Sequence, residues 1–442
     1  MSSSSAVPTP ADSPKRGGNR DKNPDGTRKT GPDTGRTQAP LTGQSGRDPI
    51  VLLIAGTSLL MASGSMVFTL LPALQDEVDF PTWGFGVIAG VFFASSLVAQ
   101  LFLARFADRG RAKAMLVSAA LLAVLGLLLM AYGSTLTQLT IARGIGGLAT
   151  GCWAPAARAT AIAGRPDQTA RRLSYIAMGD TSGLVIGPLV GAALVAAFSL
   201  RTAFIVFAVL ALLLLPLIFV SNIVEVSRTS TTTRLTDLVT RRPVLQAVVL
   251  GVALFLPVGM YETVWGKHIS NLGGSTFVIA LSVALYGLPY MIMAPIGGRL
   301  GDRLGPARVA IFGSVALVIV TVITGVPRNY WILIPVGVIE AGISAIAYPN
   351  ALAAVSKAAS RQEQATAQGL AGGASIAGAG VMALISGPVF EFAGPFATFS
   401  TAAALVAVGA LVAFRMDPAA FAPQVGAPAT GDGDVGGATG RG

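Results

Sequence analysis

Long apolar runs dominate the chain between Ile50 and Phe414, and short charged segments separate each run from the next. Each run holds roughly 18 to 25 residues, which is the length that a helix needs to cross about 30 Å of hydrocarbon. Apolar helices in a soluble core run closer to about 10 to 14 residues. The pattern therefore predicts an all-α integral membrane protein with twelve transmembrane helices. They are predicted over residues 50–74, 84–104, 114–132, 138–162, 174–198, 202–222, 244–265, 277–296, 308–325, 330–353, 367–390 and 396–414.

Both ends of the chain lack this pattern. Residues 1–49 contain seven Pro and seven Gly, and a segment this polar cannot bury enough apolar surface to offset the entropy of ordering it. Residues 415–442 have a similar composition. We therefore predict a disordered tail at each end. The first tail has no apolar stretch of the kind found in signal peptides, so the first apolar run is predicted to remain as a spanning helix.

Charge is scarce and unevenly placed. Only 12% of the residues are charged, against about 25% in a soluble domain, and the net charge is +10. If the amino terminus is cytoplasmic and the helices alternate in direction, 27 of the 31 Lys and Arg residues fall in cytoplasmic segments. This is the positive-inside bias of a multi-pass membrane protein, so the basic composition indicates an anionic membrane surface rather than nucleic acid. We expect an inner-membrane protein with both termini in the cytoplasm.

The chain also repeats itself with a shift of 194 residues. The sequence Arg-Phe-Ala-Asp-Arg at 105–109 matches Arg-Leu-Gly-Asp-Arg at 299–303, and Pro155 matches Pro349. A Gly-Pro pair in the fifth predicted helix recurs 200 residues later. The repeat predicts two pseudo-symmetric six-helix bundles in the same orientation. The predicted organisation is a first bundle over 50–222, a cytoplasmic linker over 223–243 and a second bundle over 244–414.

The loops that carry the repeated charges resemble a signature of the major facilitator superfamily, G-x-L-x-D-R-x-G. Residues 298–308 carry it intact, whereas residues 104–113 depart from it, because Ala104 replaces the first glycine and Gly110 follows the arginine directly. The resemblance implies two bundles that alternate access to a site between them. It also implies that the loops clamp one conformation, although a solvated charged loop is the simpler alternative. The residues that would form this clamp are Asp108, Arg109, Arg111, Asp302, Arg303 and Gly305.

Two helices carry further signatures of this superfamily. Residues 139–147 match L-x-x-x-R-x-x-q-G, with Gly146 in place of the usual Gln. An arginine inside a membrane helix costs roughly 2.5 to 3.5 kcal/mol, so Arg143 needs a cavity, an acid or a substrate as partner, unless it extends to the interface. The fifth predicted helix resembles the signature of exporters, which small-residue packing alone would also explain. Its residues are Gly183, Gly187, Pro188 and Gly191.

Few acids lie within the predicted helices. A carboxyl group in a low-dielectric setting can carry a proton near neutral pH, so Glu340 and Asp180, followed by Glu262, are the candidates for proton coupling. A structural hydrogen bond is the alternative role for each. The first predicted helix holds no acid, although some drug–proton antiporters of the superfamily place one there. That difference weakens the prediction of antiport or moves the proton site to another helix.

Aromatic residues in the second half are candidates for lining a substrate cavity, with packing or interfacial roles as the alternative. They are Tyr261, Trp265, Tyr286, Tyr290 and Tyr348. The single histidine, His268, is predicted to lie at the interface beyond its helix. One histidine and one cysteine, Cys152, supply neither a zinc site nor a paired nucleophile, and no phosphate-binding loop is found. We expect no enzyme activity, no metal and no cofactor.

These observations favour a secondary transporter over a membrane enzyme. The leading hypothesis is a proton-driven exporter of an amphipathic small molecule or drug, and we expect it to act as a monomer. A metabolite, sugar or lipid transporter of the same fold, working in either direction, is the alternative within this class. A receptor that transports nothing is the alternative from another class, although it would not need paired loop signatures.

Overall fold

The computed structural model describes residues 48–108, 110–163, 168–223, 235–360 and 363–421, and within these ranges the chain forms helices and no strand. The first six helices are α1 (Ile50–Val78), α2 (Trp83–Asp108), α3 (Ala112–Tyr132), α4 (Leu136–Ala163), α5 (Thr169–Ala197) and α6 (Leu200–Val220). The remaining helices are α7 (Leu235–Val239), α8 (Arg242–Asn271), α9 (Thr276–Leu304), α10 (Pro306–Thr324), α11 (Tyr330–Ala358) and α12 (Gln364–Met416).

The number of membrane spans depends on how two of these helices are counted. Ten helices in the described ranges are long and apolar enough to cross a membrane. One of them, α12, is two helices joined at Gly394, whose φ of 81° is a left-handed conformation that glycine tolerates. Helix α4 is outside this group because Arg143 and Arg158, together with many small residues, make it less apolar. With both segments of α12 and with α4, the described chain has twelve spans, and the predicted all-α membrane fold is confirmed.

Several element boundaries differ from the predicted ones. The predicted linker over 223–243 contains α7 and ends inside α8. The predicted carboxy-terminal tail begins later than residue 415, because α12 ends at Met416 and a 3₁₀ turn at Pro418–Phe421 follows it. Phe421 packs against the ring of Phe414, with 5.6 Å between the ring centroids. The predicted tails over residues 1–47 and 422–442 lie outside the described residues.

The helix bounds repeat with the same offset as the sequence motifs. Helix α10 begins 194 residues after α3, and α11 begins 194 residues after α4. Helix α9 begins 193 residues after α2. An offset of 194 therefore relates equivalent positions in the first four helices of each half.

Glycines bring α5 into close contact with α1 inside the N-terminal half. A Cβ atom at Gly187 would overlap the backbone of Ala62, and one at Gly183 would overlap the carbonyl oxygen of Ser58. The Ser58 hydroxyl lies 3.1 Å from the hydroxyl of Ser182 and forms a hydrogen bond with it. Small residues permit this approach between membrane helices, which pack by close contact because lipid supplies no hydrophobic drive between them.

An ion pair joins the start of the first helix to the start of the fifth helix in each half. In the N-terminal half Asp48, just before α1, accepts hydrogen bonds from the buried Arg172 of α5. In the C-terminal half Arg241, just before α8, donates two hydrogen bonds of 2.8 and 3.0 Å to Glu363, just before α12. The acid and the base exchange places between the two halves.

The two halves meet through α2 and the first segment of α12. A Cβ at Gly86 would lie 2.6 Å from the carbonyl oxygen of Ala383, and one at Gly387 would lie 2.8 Å from that of Trp83. The backbone N–H of Trp83 also donates to Glu391, at 2.6 Å. We call this contact the glycine seal. It lies at the end of the bundle away from the Asp302 loop.

Candidate functional site

A cavity of about 440 Å³ lies between the halves, with walls formed by α1, α2, α4, α5, α8, α9 and α12. The glycine seal closes one end. The wall extends to Gln100, Arg158 and Asp180, of which Arg158 is exposed and the other two are half-buried. The cavity therefore opens toward the end that carries the Asp302 loop. Most of its surface is apolar, and the aromatic residues that line it are Phe68, Phe92, Phe93, Trp153, Phe255, Tyr261, Trp265, Tyr286 and Tyr290.

Arg143 forms an ion pair with Glu262 across the two halves. An Nη2–Oε2 distance of 3.4 Å joins α4 to α8, and both side chains line the cavity. The side chain of Arg143 is 5% exposed and that of Glu262 is 22% exposed, so water screens the pair little. The guanidinium also donates to the carbonyl oxygen of Gly64 at 3.4 Å and lies 4.0 Å from the centroid of the Phe92 ring. Arg143 thus has the acid partner that its position in a membrane helix requires.

Asp180 lies on α5 near the open end of the cavity. Arg158 of α4 lines the same region, but the two side chains form no ion pair within 4.0 Å in the described part of the chain. Sequence reasoning did not select Arg158, which it assigned to the positive-inside pattern. The open end of the cavity therefore presents one acid and one base that are both accessible to a ligand.

Glu340 does not line the cavity, contrary to what a substrate-facing acid would do. It is fully buried in the C-terminal half, among α8, α10 and α11. Three hydroxyl groups surround its carboxyl group: Thr321 at 2.9 Å, Thr324 at 3.1 Å and Tyr261. Tyr261 lines the cavity, so its ring separates Glu340 from the space that a substrate would occupy.

Four of the five predicted aromatic residues line the cavity, and Tyr348 does not. Tyr348 instead packs against Phe255, with ring centroids 4.9 Å apart. The indole N–H of Trp265 donates to Ser282 at 2.9 Å, which fixes that ring against α9. His268 lies inside α8 and is 3% exposed, rather than at the interface, because it packs between Phe390 and Phe399.

The comparisons with known proteins agree with this geometry. The family model described as Major Facilitator Superfamily matches residues 53–266 and 254–432. The chain belongs to the Major Facilitator Superfamily. The predicted family is thereby confirmed, and the cavity between two six-helix halves is the feature that this family would use for transport.

Two curated relatives of this superfamily member carry the name Multidrug resistance protein MdtG. The protein from Proteus mirabilis (strain HI4320) is 28% identical over 293 residues, which cover 62% of this chain and 72% of the relative. The protein from Serratia proteamaculans (strain 568) is 28% identical over 296 residues, which cover 62% and 70%.

Two solved structures of superfamily folds align with most of the chain. One is a bacterial homolog of the human lysosomal transporter Spinster in an inward-facing, unoccupied conformation, with a TM-score of 0.69 at 12% identity, covering 83% of this chain and 96% of the homolog. The other is a D-xylose–proton symporter, with a TM-score of 0.68 at 16% identity, covering 84% and 96%. At these identities the likeness concerns the fold.

The superfamily loop signature is placed as follows. Asp302 and Arg303 are exposed at the end of α9, and Gly305 has a φ of 90°, which explains the glycine in this turn. Arg111 is exposed and its guanidinium lies 5.9 Å from the centroid of the Phe106 ring. Arg109 and the side chain of Asp108 lie outside the described residues. The clamping role of these six residues stays a prediction.

The exporter-type signature of α5 faces α1. Gly183 and Gly187 contact its backbone, and a Cβ at Gly191 would overlap the side chain of Met66. Pro188 lies inside α5. The four residues therefore form the packing surface between the first and fifth helices of the N-terminal half, away from the glycine seal.

Acids and histidine are sparse around the cavity. No group of three or more His, Cys, Asp or Glu side chains that could hold a metal ion occurs among the described residues. Cys152 is buried in α4. The charged groups that the cavity offers are Arg143, Arg158, Asp180 and Glu262.

Proposed function

We propose that this superfamily member exports an amphipathic small molecule or drug in exchange for protons. The observation that carries the proposal is the Arg143–Glu262 pair, a base and an acid on opposite halves that both line the cavity. Apolar and aromatic walls accept the apolar body of a substrate, and the few charges select its polar end. Relatives named multidrug resistance proteins add support.

The pair suits alternating exchange because its two members belong to different halves. While Glu262 is ionised it neutralises Arg143 and holds the halves together on the seal side of the cavity. A proton on Glu262 removes this attraction, so the halves separate more readily and Arg143 loses its acid partner. In the proposed cycle a proton arrives from outside, the substrate leaves, and loss of the proton to the cytoplasm restores the pair.

The energy source in this proposal is the proton gradient, without a cofactor. A membrane potential of 100 mV supplies about 2.3 kcal/mol for each elementary charge that crosses. We propose that the protein lies in the inner membrane as a monomer, with both termini and the open end of the cavity on the cytoplasmic side. The positive-inside distribution of Lys and Arg supports this orientation.

Transport by purified protein in liposomes tests the proposal. Ethidium, a fluorescent lipophilic cation, is loaded on the cytoplasmic side, and an imposed pH gradient should drive its movement together with a countercurrent of protons. The variant Glu262→Gln keeps the shape of the side chain but cannot ionise, so it should bind ethidium and lose the response to the gradient. Absence of gradient-driven movement for a panel of cationic, zwitterionic and anionic amphiphiles in the wild type would refute proton-driven export. Glucose or lipid movement in the same vesicles would point to the alternative transporters.

A further inference from the structure

Glu340 is the one buried acid that the proposed exchange at Glu262 does not use. Its pocket contains the hydroxyls of Tyr261, Thr321 and Thr324, and all four residues are buried. No positively charged group forms an ion pair with it in the described part of the chain. A carboxyl group buried without a cation is stable when it is protonated, or when enough donors surround it.

The hydrogen-bond partners allow both forms of the carboxyl group. In the ionised form Tyr261 and Thr324 donate to Oε2, and Thr321 donates to Oε1. The Thr324 hydroxyl has a second partner, the carbonyl oxygen of Val320 at 2.9 Å. It carries a single hydrogen, which can serve only one of these acceptors at a time.

Thr324 can therefore switch roles when a proton arrives. Its hydrogen turns to the Val320 carbonyl, and its oxygen then accepts the hydrogen of the protonated carboxyl group. Every group remains hydrogen-bonded in both states, so neither state carries the cost of about 1 to 3 kcal/mol for a buried unsatisfied group. A purely structural acid would not require this second arrangement.

Tyr261 connects this pocket to the cavity. Its hydroxyl bonds to Glu340, while its residue lines the wall beside Glu262. The other titratable groups nearby are Tyr286, whose ring centroid lies 5.5 Å from that of Tyr261, and Tyr290, 6.0 Å further along α9. The nearest charges in the cavity belong to the Arg143–Glu262 pair.

We propose that Glu340 takes up and releases a proton through the hydroxyl of Tyr261, with Thr324 switching its hydrogen bond between the two states. A proton from cavity water joins the Tyr261 oxygen as the original hydrogen of Tyr261 moves to Oε2, so the phenol is neutral before and after the transfer. Release follows the reverse path. This inference rests on the proposed proton exchange and adds a second proton site that a substrate cannot contact.

Infrared difference spectroscopy on the purified full-length protein tests the site without any substrate. A change of pH should produce a band from a protonated buried carboxyl group in the wild type. Glu340→Gln should lose this band, and Glu262→Gln should retain it. A spectrum of Glu340→Gln identical to that of the wild type would overturn the proposal.

The gate role of Tyr261 has its own readout. After a pH jump, Tyr261→Phe should show the Glu340 band at equilibrium but reach it more slowly, by on the order of a hundredfold, because the relaying hydroxyl is gone. Tyr286→Phe removes a neighbouring hydroxyl and should keep the wild-type rate. Equal rates in Tyr261→Phe and the wild type would overturn the relay. The readout does not depend on transport, so failure of gradient-driven export in the wild type would be a separate result.

Discussion

The pocket of Glu340 in the C-terminal half can be compared with its counterpart in the N-terminal half, which lies 194 residues earlier. The counterparts of Glu340 and its three hydroxyl partners carry no polar side chain: they are Val67, Leu127, Met130 and Gly146. All four line a small cavity of about 40 Å³. The same position in the fold therefore holds a hydrogen-bonded acid in one half and an apolar gap in the other.

The arginine shows the reverse arrangement. The counterpart of Arg143 is Gly337 of α11, and Trp265 fills the space there, so that a Cβ at Gly337 would lie 2.8 Å from the indole ring. The N-terminal half thus supplies the buried cation and the C-terminal half supplies the buried acids. The frame is symmetric while the charge is not, and opposite charges can pair only between halves. This asymmetry can be tested from both sides.

The largest effect is expected from removing the cation. Arg143→Met leaves Glu262 without its partner, and breaking a buried pair costs about 3 to 5 kcal/mol. Thermal unfolding of the purified protein should show this loss, and most strongly at alkaline pH, where the carboxyl group stays ionised. Transport should be abolished.

Two variants control this result. Arg143→Met combined with Glu262→Met removes both charges and should recover most of the stability but not transport. Arg201→Met breaks an exposed pair with Glu77, with side chains 61% and 46% exposed, and should change stability by about 0 to 1 kcal/mol. A single Arg143→Met variant as stable as the wild type would show that the pair does not hold the halves together.

The repeated Gly-Pro pairs should give different effects in the two halves. Gly187 packs against α1 inside its own half, so Gly187→Ala should destabilise folding by about 1 to 3 kcal/mol through overpacking. Gly387 packs against Trp83 of the other half, so Gly387→Ala should instead loosen the glycine seal. The rate at which an external water-soluble maleimide labels Val258→Cys in the cavity measures that opening.

Cys152 is buried and should give little background labelling. The comparison fails if Gly387→Ala lowers the unfolding temperature as much as Gly187→Ala and leaves the labelling rate unchanged.

A smaller effect is expected where the N-terminal half is empty. A Cβ at Gly146 would meet no atom within 4 Å, so Gly146→Ala should stabilise the protein by roughly 0.5 to 1 kcal/mol through helix propensity. Gly337→Ala makes the same change in a filled position and should destabilise it, because the new methyl group meets Trp265. Thermal unfolding of the two variants side by side measures both signs. Stabilisation by both would show that Trp265 moves away without cost.

The smallest effect concerns the ion pairs at the helix starts. Hydrogen bonds from Ser360, followed by the contact with Arg241, lower the pKa of Glu363 below its ordinary 4.5. A lowered folded pKa stabilises the protein fully above pH 4.5, and this contribution disappears as the pH falls through the folded value. Glu363→Gln should therefore flatten the acid limb of the unfolding temperature while barely changing it at pH 7. An unchanged acid limb would show that the pair contributes nothing.

The sequence predicted the frame because the frame depends on one-dimensional signals. Apolar runs set the number of spans, and repeated motifs set the offset between the halves. Predicted ends fell short, as for α1, which continues to Val78 rather than residue 74, because helices extend beyond the hydrocarbon into the interface. The kink at Gly394 came at the predicted break between the last two spans.

The site could be predicted only in part, because depth in the membrane follows from the sequence and direction around the helix does not. Arg143 was predicted to need an acid, but its partner lies 119 residues away on another half. Tyr261 and Glu262 are neighbours, yet about 100° of helix rotation aims one at Glu340 and the other into the cavity. Tyr348 was assigned to the cavity for the same reason and packs elsewhere.

The glycine seal has a consequence for how easily the molecule can cycle. Gly86, Gly387 and Ala383 have no side-chain rotamers, so bringing α2 and α12 together freezes none at these positions. A closure made by larger side chains would lose that freedom each time it formed. Backbone surfaces that meet directly can part and rejoin at little entropic cost, which leaves bound ligands and protons to decide which end of the molecule stands open.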